Sequence, residues 1–365
     1  MSKKIAIVDS SLGPGGAEKL IVDMAPEFQK KGNDTEIVIF TSYNDTFSPL
    51  VDREKVKLTF LGSSKKYWDF SCIFKLWSIL KNKDIIYTHV VHAQYFVAFL
   101  RLFLPKKVIL VTTEHNTHNR RRGNVIFKLI DRWVYSKYDK IISITDAVED
   151  NLLQHLNEVK SNKFNVVPNG ICIDRFRNAR SFDREKLSIN NDDFVMIMVG
   201  RFAKAKDQKT LIEALTKLPE RFKLVFIGDG LELVYHKELV LGLGLDSRVV
   251  FIERTTEVPE ILKMSNLGIL SSHWEGLPLA ALEIMASGLP FLGSNVPGIR
   301  DLITDDDLLF SQGDVDELVN KIVEVESSEY ILNKNVASCN DIVSKYSVES
   351  MANSYLSCVN YFDSV

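Results

Sequence analysis

Short runs of consecutive aliphatic and β-branched residues recur along the chain: Ile5 to Val8, Thr35 to Phe40, Ile85 to Thr88, Val108 to Thr112 and Lys140 to Ile144. Each is followed by a longer stretch in which apolar residues return at helical spacing. Apolar runs without alternation predict strands buried on both faces, and their alternation with helices predicts a parallel sheet wrapped by helices. The rhythm is punctuated at Val167-Pro168-Asn169-Gly170 and restarts after residue 190, with Phe194 to Val199, Lys223 to Ile227, Val249 to Ile252, Leu267 to Leu270 and Pro290 to Leu292. Proline and Asn-Gly break regular structure, so a domain boundary is expected there. The pattern predicts two α/β units in tandem, 1–170 and 171–347. The final stretch, Val348 to Tyr361, reads as a helix able to return to the first unit.

Composition narrows the class. With 365 residues, 45% apolar and 25% charged, the chain holds enough material for two ordinary cores. Only four apolar residues, Ile5 to Val8, separate Lys4 from Asp9, too few for a secretory signal, so a cytoplasmic protein is expected. The longest apolar tract, Tyr95 to Val111, is interrupted by Arg101, Pro105, Lys106 and Lys107, and no membrane span is expected. Cys72, Cys172, Cys339 and Cys358 form no C-x-x-C pair and read as reduced packing residues.

The net charge of −3 conceals an asymmetry: residues 1–180 carry 28 Lys and Arg against 19 Asp and Glu, residues 181–365 carry 17 against 29. Basic clusters at Lys65-Lys66, Lys106-Lys107 and Arg120-Arg121-Arg122 lie near Tyr67, Trp68 and Trp77. This mixture suits an anionic membrane surface or a phosphorylated acceptor. No nucleic-acid motif accompanies the charge, so nucleic acid is not expected as a partner.

Three constellations carry chemistry. Gly13-Pro14-Gly15-Gly16-Ala17-Glu18 joins the first strand to a helical run beginning near Glu18, where glycines and a helix N-terminus suit a phosphate. It is not the dinucleotide fingerprint, because Glu18 stands where the third glycine belongs. Val199-Gly200-Arg201 closes the first strand of the second unit, with Lys206 five residues on; at a strand's carboxyl end two cations can neutralise a pyrophosphate. The third runs from Leu270 through Glu275, Gly276, Leu277 and Pro278 to Glu283, a strand, a loop and a helix with Pro278 as its first residue. Glu283 then stands about 7.5 Å along the axis from Pro278, so two carboxylates address opposite ends of one ligand. A charge at Glu283, among Leu282, Ile284, Met285 and Ala286, is costly unless it has a task.

These segments resemble the family 4 retaining glycosyltransferases of GT-B architecture over nearly the whole chain. The likeness rests on Gly15-Gly16-Ala17-Glu18, Thr113-Glu114-His115-Asn116, Val167-Pro168-Asn169-Gly170-Ile171 with Asp174, Gly200-Arg201 to Lys206, Gly228-Asp229-Gly230, and Glu275 to Glu283. It implies two Rossmann-like domains facing across a cleft, the first binding acceptor, the second nucleotide-sugar, with a C-terminal helix at 348–365 packing back on the first. It further implies that Glu283 holds the ribose, Arg201 and Lys206 the pyrophosphate, and Glu275 with the N–H groups of Gly276 and Leu277 the transferred sugar. His115 is then the histidine at the donor sugar, Gly15 and Gly16 lie near its phosphates, Gly200 lines the donor site, and Glu253-Arg254-Thr255 meets the base. Glu114 and His118 fall on the acceptor side. One departure is visible: after Pro297-Gly298 the chain reads Ile299-Arg300-Asp301, so an acidic role there rests on Asp301.

The implied reaction moves a hexose or N-acetylhexosamine, from a UDP-sugar by preference, to a glycan or lipid-linked acceptor in surface-polysaccharide synthesis on the inner membrane face. No metal or other cofactor is expected, since Asp305-Asp306-Asp307 reads as a solvated turn. His89, His92, His155, His236 and His273 read as structural or surface groups. Two rivals stay open, a nucleotide-sugar epimerase and a catalytically silent nucleotide-sugar-binding scaffold.

Overall fold

The computed structural model describes residues 2–13, 15–43, 45–62, 70–115, 125–253 and 255–360. The chain divides into two compact units, Met1–Gly170 with Val348–Val365, and Ile171–Ser347.

In the first unit the elements run β1 (Lys4–Asp9), α1 (Gly16–Lys30), β2 (Asp34–Ile39), β3 (Lys57–Phe60), α2 (Ile73–Leu80), β4 (Ile85–Thr88), α3 (Val91–Leu100) and β5 (Ile109–Glu114). They continue with α4 (Val125–Ser136), β6 (Lys140–Ser143), α5 (Asp146–Leu156) and β7 (Phe164–Val166). The seven strands pair in parallel in the order β3-β2-β1-β4-β5-β6-β7. Strands β1, β4 and β6 are buried almost throughout, as a parallel sheet covered on both faces requires.

The second unit follows with α6 (Ile173–Arg177), β8 (Phe194–Val199), α7 (Gln208–Thr216), β9 (Phe222–Ile227), α8 (Leu233–Gly242), β10 (Val249–Ile252) and α9 (Val258–Met264). After these come β11 (Leu267–Leu270), α10 (Leu279–Ala286), β12 (Phe291–Ser294), α11 (Ile299–Leu302), β13 (Leu309–Phe310), α12 (Val315–Ser327) and α13 (Glu329–Ser344). Its six parallel strands are ordered β10-β9-β8-β11-β12-β13. The last helix, α14 (Val348–Asn360), belongs to the first unit and packs on α1. It buries Met351, Ala352 and Tyr355, and the Tyr355 hydroxyl meets Thr113 Oγ1 at 3.1 Å.

Both sheets reverse direction beside their first strand. In the first unit the chain travels outward from β1 to β2 and β3, then resumes on the other side at β4; in the second it goes from β8 to β9 and β10, then resumes at β11. The loops at such a switch point diverge to opposite faces, and ligands of open α/β sheets bind in the crevice between them. Strands β3, β7 and β13 have no counterpart in the strand-forming runs read from the sequence. β3 is an edge strand, partly exposed, and β7 and β13 are edge strands of three and two residues.

Candidate active site

In the second unit the loops leaving β8 and β11 are sewn together at the switch point. His273 N–H donates to Ala205 O at 2.8 Å, and Ser271 Oγ donates to Asp207 O at 2.7 Å. The link brings Lys206 Nζ within 2.5 Å of Glu275 Oε1, which also accepts from Ser272 Oγ at 2.7 Å. Lys206 retains 22% of its side-chain exposure and Glu275 9%, so the pair is set into the surface. A Cβ on Gly200 would meet the Lys206 methylenes at ordinary contact distance, 3.7 Å. Arg201 is exposed beside it, its carbonyl held by Gln208 Nε2 at 3.0 Å.

Two glycines fix this arrangement. Gly228, at φ +151°, brings the loop after β9 against Gly200, where a Cβ would collide with the Gly200 carbonyl. Gly298, at φ +85°, packs under the Glu275 loop: a Cβ would collide with Glu275 O and lie 2.7 Å from Gly276 O. Glu275 N–H donates to Pro297 O at 3.1 Å, completing that support. Asp301 Oδ2 accepts from Gly298 N–H at 3.0 Å and caps α11.

Helix α10 opens one residue later than the sequence suggests, with Pro278 as its N-cap and not its first residue. Among the described residues the N–H groups of Gly276, Leu277, Leu279 and Ala280 have no hydrogen-bond acceptor. A helix N-terminus with free donors favours an anion. Glu283 lies in the middle of α10 and is 7% exposed. Thr255, after β10, accepts from Glu257 N–H at 3.0 Å through its hydroxyl. Arg254 and His118 lie outside the described residues, as do Lys65, Lys66, Tyr67, Trp68 and Arg120 to Arg122. The Asp305–Asp307 turn is tied down by Arg300 on Asp306, Lys334 on Asp307 and Ser338 on Asp305.

In the first unit α1 begins at Gly16, two residues before the position read from the sequence, with Gly15 as N-cap. Glu18 is its third residue and curls back, so a Cβ on Gly15 would collide with its carboxylate. This geometry places a negative group at the helix's own N-terminus. Burial, and then the nearby Glu18 carboxylate, hold the Asp9 carboxyl well above the usual range. Glu114, at the end of β5, is buried and accepts from the Tyr135 hydroxyl at 2.6 Å.

His115 sits just beyond β5, and its Nε2 meets His89 Nδ1 at 3.2 Å. Burial lowers His115 to about 4 and pulls His89 well down, so both rings are neutral near neutrality. His89 leaves β4, at the switch point, and stacks on Tyr355 of α14 with an interplanar angle of 13°. In sequence His89 reads as structural; its link to His115 joins residues 26 apart at the ends of neighbouring strands, for which no local signal exists. His155 is structural, buried against Asp131 at 2.9 Å.

Two family models match in succession: that of glycosyltransferase family 4 over residues 14–175 and that of the glycosyl transferases group 1 over residues 179–340. The chain belongs to the family 4 glycosyltransferases. A relative from Escherichia coli, UDP-Gal:alpha-D-GlcNAc-diphosphoundecaprenol alpha-1,3-galactosyltransferase, is 26% identical over 300 residues, 77% of this chain and 76% of its own. The O-antigen biosynthesis glycosyltransferase WclY of the same species is 23% identical over 339 residues, 91% of each chain. The Anabaena protein HepE, crystallised with UDP and glucose, superposes with a TM-score of 0.82 at 20% identity, covering 98% of this chain and 99% of its own. The glycosyltransferase thus shares the two-unit Rossmann-like fold of its structural neighbours. Its Lys206–Glu275 pair, Arg201 and the α10 N-terminus fall at the second unit's switch point.

Proposed function

We propose that this enzyme is a retaining glycosyltransferase that moves a hexose or N-acetylhexosamine from a UDP-sugar to a lipid-linked glycan in surface-polysaccharide synthesis, working at the inner membrane face. The observation that carries this reading is the Lys206–Glu275 ion pair beside Arg201 and the unpartnered N–H groups of α10. Positive charge and free donors converge where a diphosphate leaves, next to carboxylates suited to sugar and ribose hydroxyls. The names of the relatives support the donor and acceptor classes: a UDP-galactose-dependent transferase acting on a diphosphoundecaprenol-linked sugar, and an O-antigen enzyme.

In the chemistry proposed, the bond from the anomeric carbon to the diphosphate oxygen breaks while the acceptor hydroxyl oxygen bonds to that carbon on the same face. The acceptor proton passes to the departing phosphate oxygen, and UDP leaves. Arg201, Lys206 and the α10 donors stabilise the charge growing on the leaving group. Glu275 orients the sugar, Glu283 the ribose, and neutral His115 offers a hydrogen bond to the donor sugar. Arg254 and Thr255 lie toward the base, Gly15 and Gly16 toward the phosphates, and Glu114 and His118 toward the acceptor. The reading calls for no metal, because these side chains supply the positive charge.

The test is a thermal-shift screen against UDP, GDP, ADP and their sugar conjugates, since a ligand that binds only the folded state raises the melting temperature. UDP compounds are expected to stabilise the wild type and to lose that effect in an Arg201→Ala, Glu283→Ala double variant. Turnover insensitive to EDTA and an axial–equatorial product pattern matching the donor's anomer complete the prediction. No shift at millimolar ligand overturns the donor site.

A further inference from the structure

Helix α4 wears its polarity inside out. Ile126, Leu129, Ile130 and Trp133 recur at i, i+3, i+4 and i+7 and fall within an arc of about 100°, the apolar stripe that normally faces a core. Here they are 68%, 61%, 39% and 42% exposed, while Asp131, Val134 and Tyr135 point inward and are buried. Tyr95 of α3 holds the inward Asp131, so the helix is anchored with this face turned out.

The neighbours extend the surface. The chain crosses from β3 to β4, β5 and β6 in one direction along the sheet, and right-handed crossovers therefore place α2, α3 and α4 on one face. Their inner side chains, Leu76, Phe96 and Val134 among them, share one core. Their outer ends do not close over it: Phe74 on α2 is 78% exposed, and Leu102 and Phe103 after α3 are 59% and 60% exposed. Trp77 Nε1 donates to Phe103 O at 3.1 Å and ties α2 to that turn. Exposed apolar area of this extent on a folded domain marks an interaction surface.

Charge identifies what covers it. Residues 70–138 carry 12 Lys and Arg against 3 Asp and Glu, though Lys83 is buried against Glu36, Arg101 pairs with Asp139, and Arg120 to Arg122 lie outside the described residues. Of the three acids, Glu114 and Asp131 are buried, and Asp84 accepts from Lys4 N–H. Lys106 and Lys107 are exposed beside Phe103, Lys137 Nζ lies 5.2 Å over the Trp133 ring and Lys81 Nζ 4.4 Å over Trp77. An isologous dimer would press two such basic faces together; an anionic bilayer attracts each Lys or Arg and accepts the apolar side chains beneath its headgroups.

We propose that the outer face of α4, with the adjoining ends of α2 and α3, seats the enzyme on an anionic lipid bilayer. The inference refines the reading of a membrane-held acceptor and rests on it only for its purpose, not for its geometry. The test is flotation of the full-length protein with vesicles of phosphatidylglycerol and phosphatidylethanolamine, and with vesicles of phosphatidylcholine alone. Two variants accompany it, Ile126→Ser/Leu129→Ser/Trp133→Ser and Lys106→Glu/Lys107→Glu/Lys137→Glu. Wild type is expected to float with the anionic vesicles only. The apolar variant is expected to lose binding by about tenfold or more and the charge-reversed variant by a similar factor, for three inserted side chains or several charge contacts. Thermal shift by UDP should be unchanged in both, which separates failure of this surface from failure of the donor site. Wild type that ignores anionic vesicles, or an apolar variant that floats like wild type, overturns the proposal. So does a wild-type dimer that the apolar variant dissolves in the absence of vesicle binding, since a second copy then covers the stripe.

Discussion

A buried histidine pair and a buried carboxyl in the first unit push its pH dependence in opposite directions. The His89–His115 contact holds one proton between two neutral rings, because burial disfavours the imidazolium on both. A base whose folded pKa is depressed costs nothing above its unfolded value and destabilises increasingly below it. Stability is therefore expected to fall as pH drops from about 6.5, the free histidine value, through about 4, where His115 titrates. A His89→Gln/His115→Gln variant should lose that dependence, so its melting-temperature difference from wild type narrows or reverses as the buffer is acidified. A difference that stays constant with pH would sink the idea. Asp9 works the other way. Its carboxyl is raised by burial and by Glu18, so its penalty is absent below about pH 4 and grows as pH rises toward the folded value. Asp9→Asn is expected to gain on wild type in stability as pH rises above about 4, and a gain that shrinks on that rise contradicts the assignment.

Loops and helices show what local sequence can and cannot specify. The strand-forming runs and glycine-rich turns were legible because buried parallel strands are apolar without interruption and because turns need particular residues. Three of the four edge strands were not: β3 carries Lys57 and Thr59, β7 spans three residues and β13 two. Nor does periodicity say which way a stripe faces: the spacing of Ile126, Leu129, Ile130 and Trp133 is that of a core-facing helix. In sequence, Pro297-Gly298 marks only the place before Ile299-Arg300-Asp301. Its role as the floor of the Glu275 loop comes from the fold, since Gly298 must adopt φ +85° and leave room for two carbonyls. Gly298→Ala should cost stability by about 1–2 kcal/mol through the left-handed backbone. It should lower transfer far more, on the order of 10–100-fold, because the Glu275 carboxylate shifts. A variant with transfer reduced only in step with its folded fraction would show the glycine to be structural alone.

At the scale of the whole molecule, function is assembled from positions that sequence keeps apart. Lys206 and Glu275 are 69 residues apart, and what unites them is the reversal of strand order that sets β8 beside β11. The same holds for the return of α14, which crosses the entire second unit in sequence to complete the first. Its Tyr355 is fully buried, gives a carbonyl to the Tyr87 hydroxyl at 3.2 Å, meets Thr113, and stacks under His89. Every one of these partners lies in the first unit. Tyr355→Ala should therefore cost about 3–5 kcal/mol, the scale for emptying a buried aromatic site. Tyr355→Phe, which loses only the hydroxyl's bond to Thr113, should cost about 1 kcal/mol. Hydrogen exchange read by segment is the decisive measurement: β4 and β5 amides should lose protection in the alanine variant while β8 and β11 amides keep theirs. Equal loss in both sheets would mean that the units unfold as one, and that α14 stabilises the molecule as a whole and not the half on which the histidine pair is built.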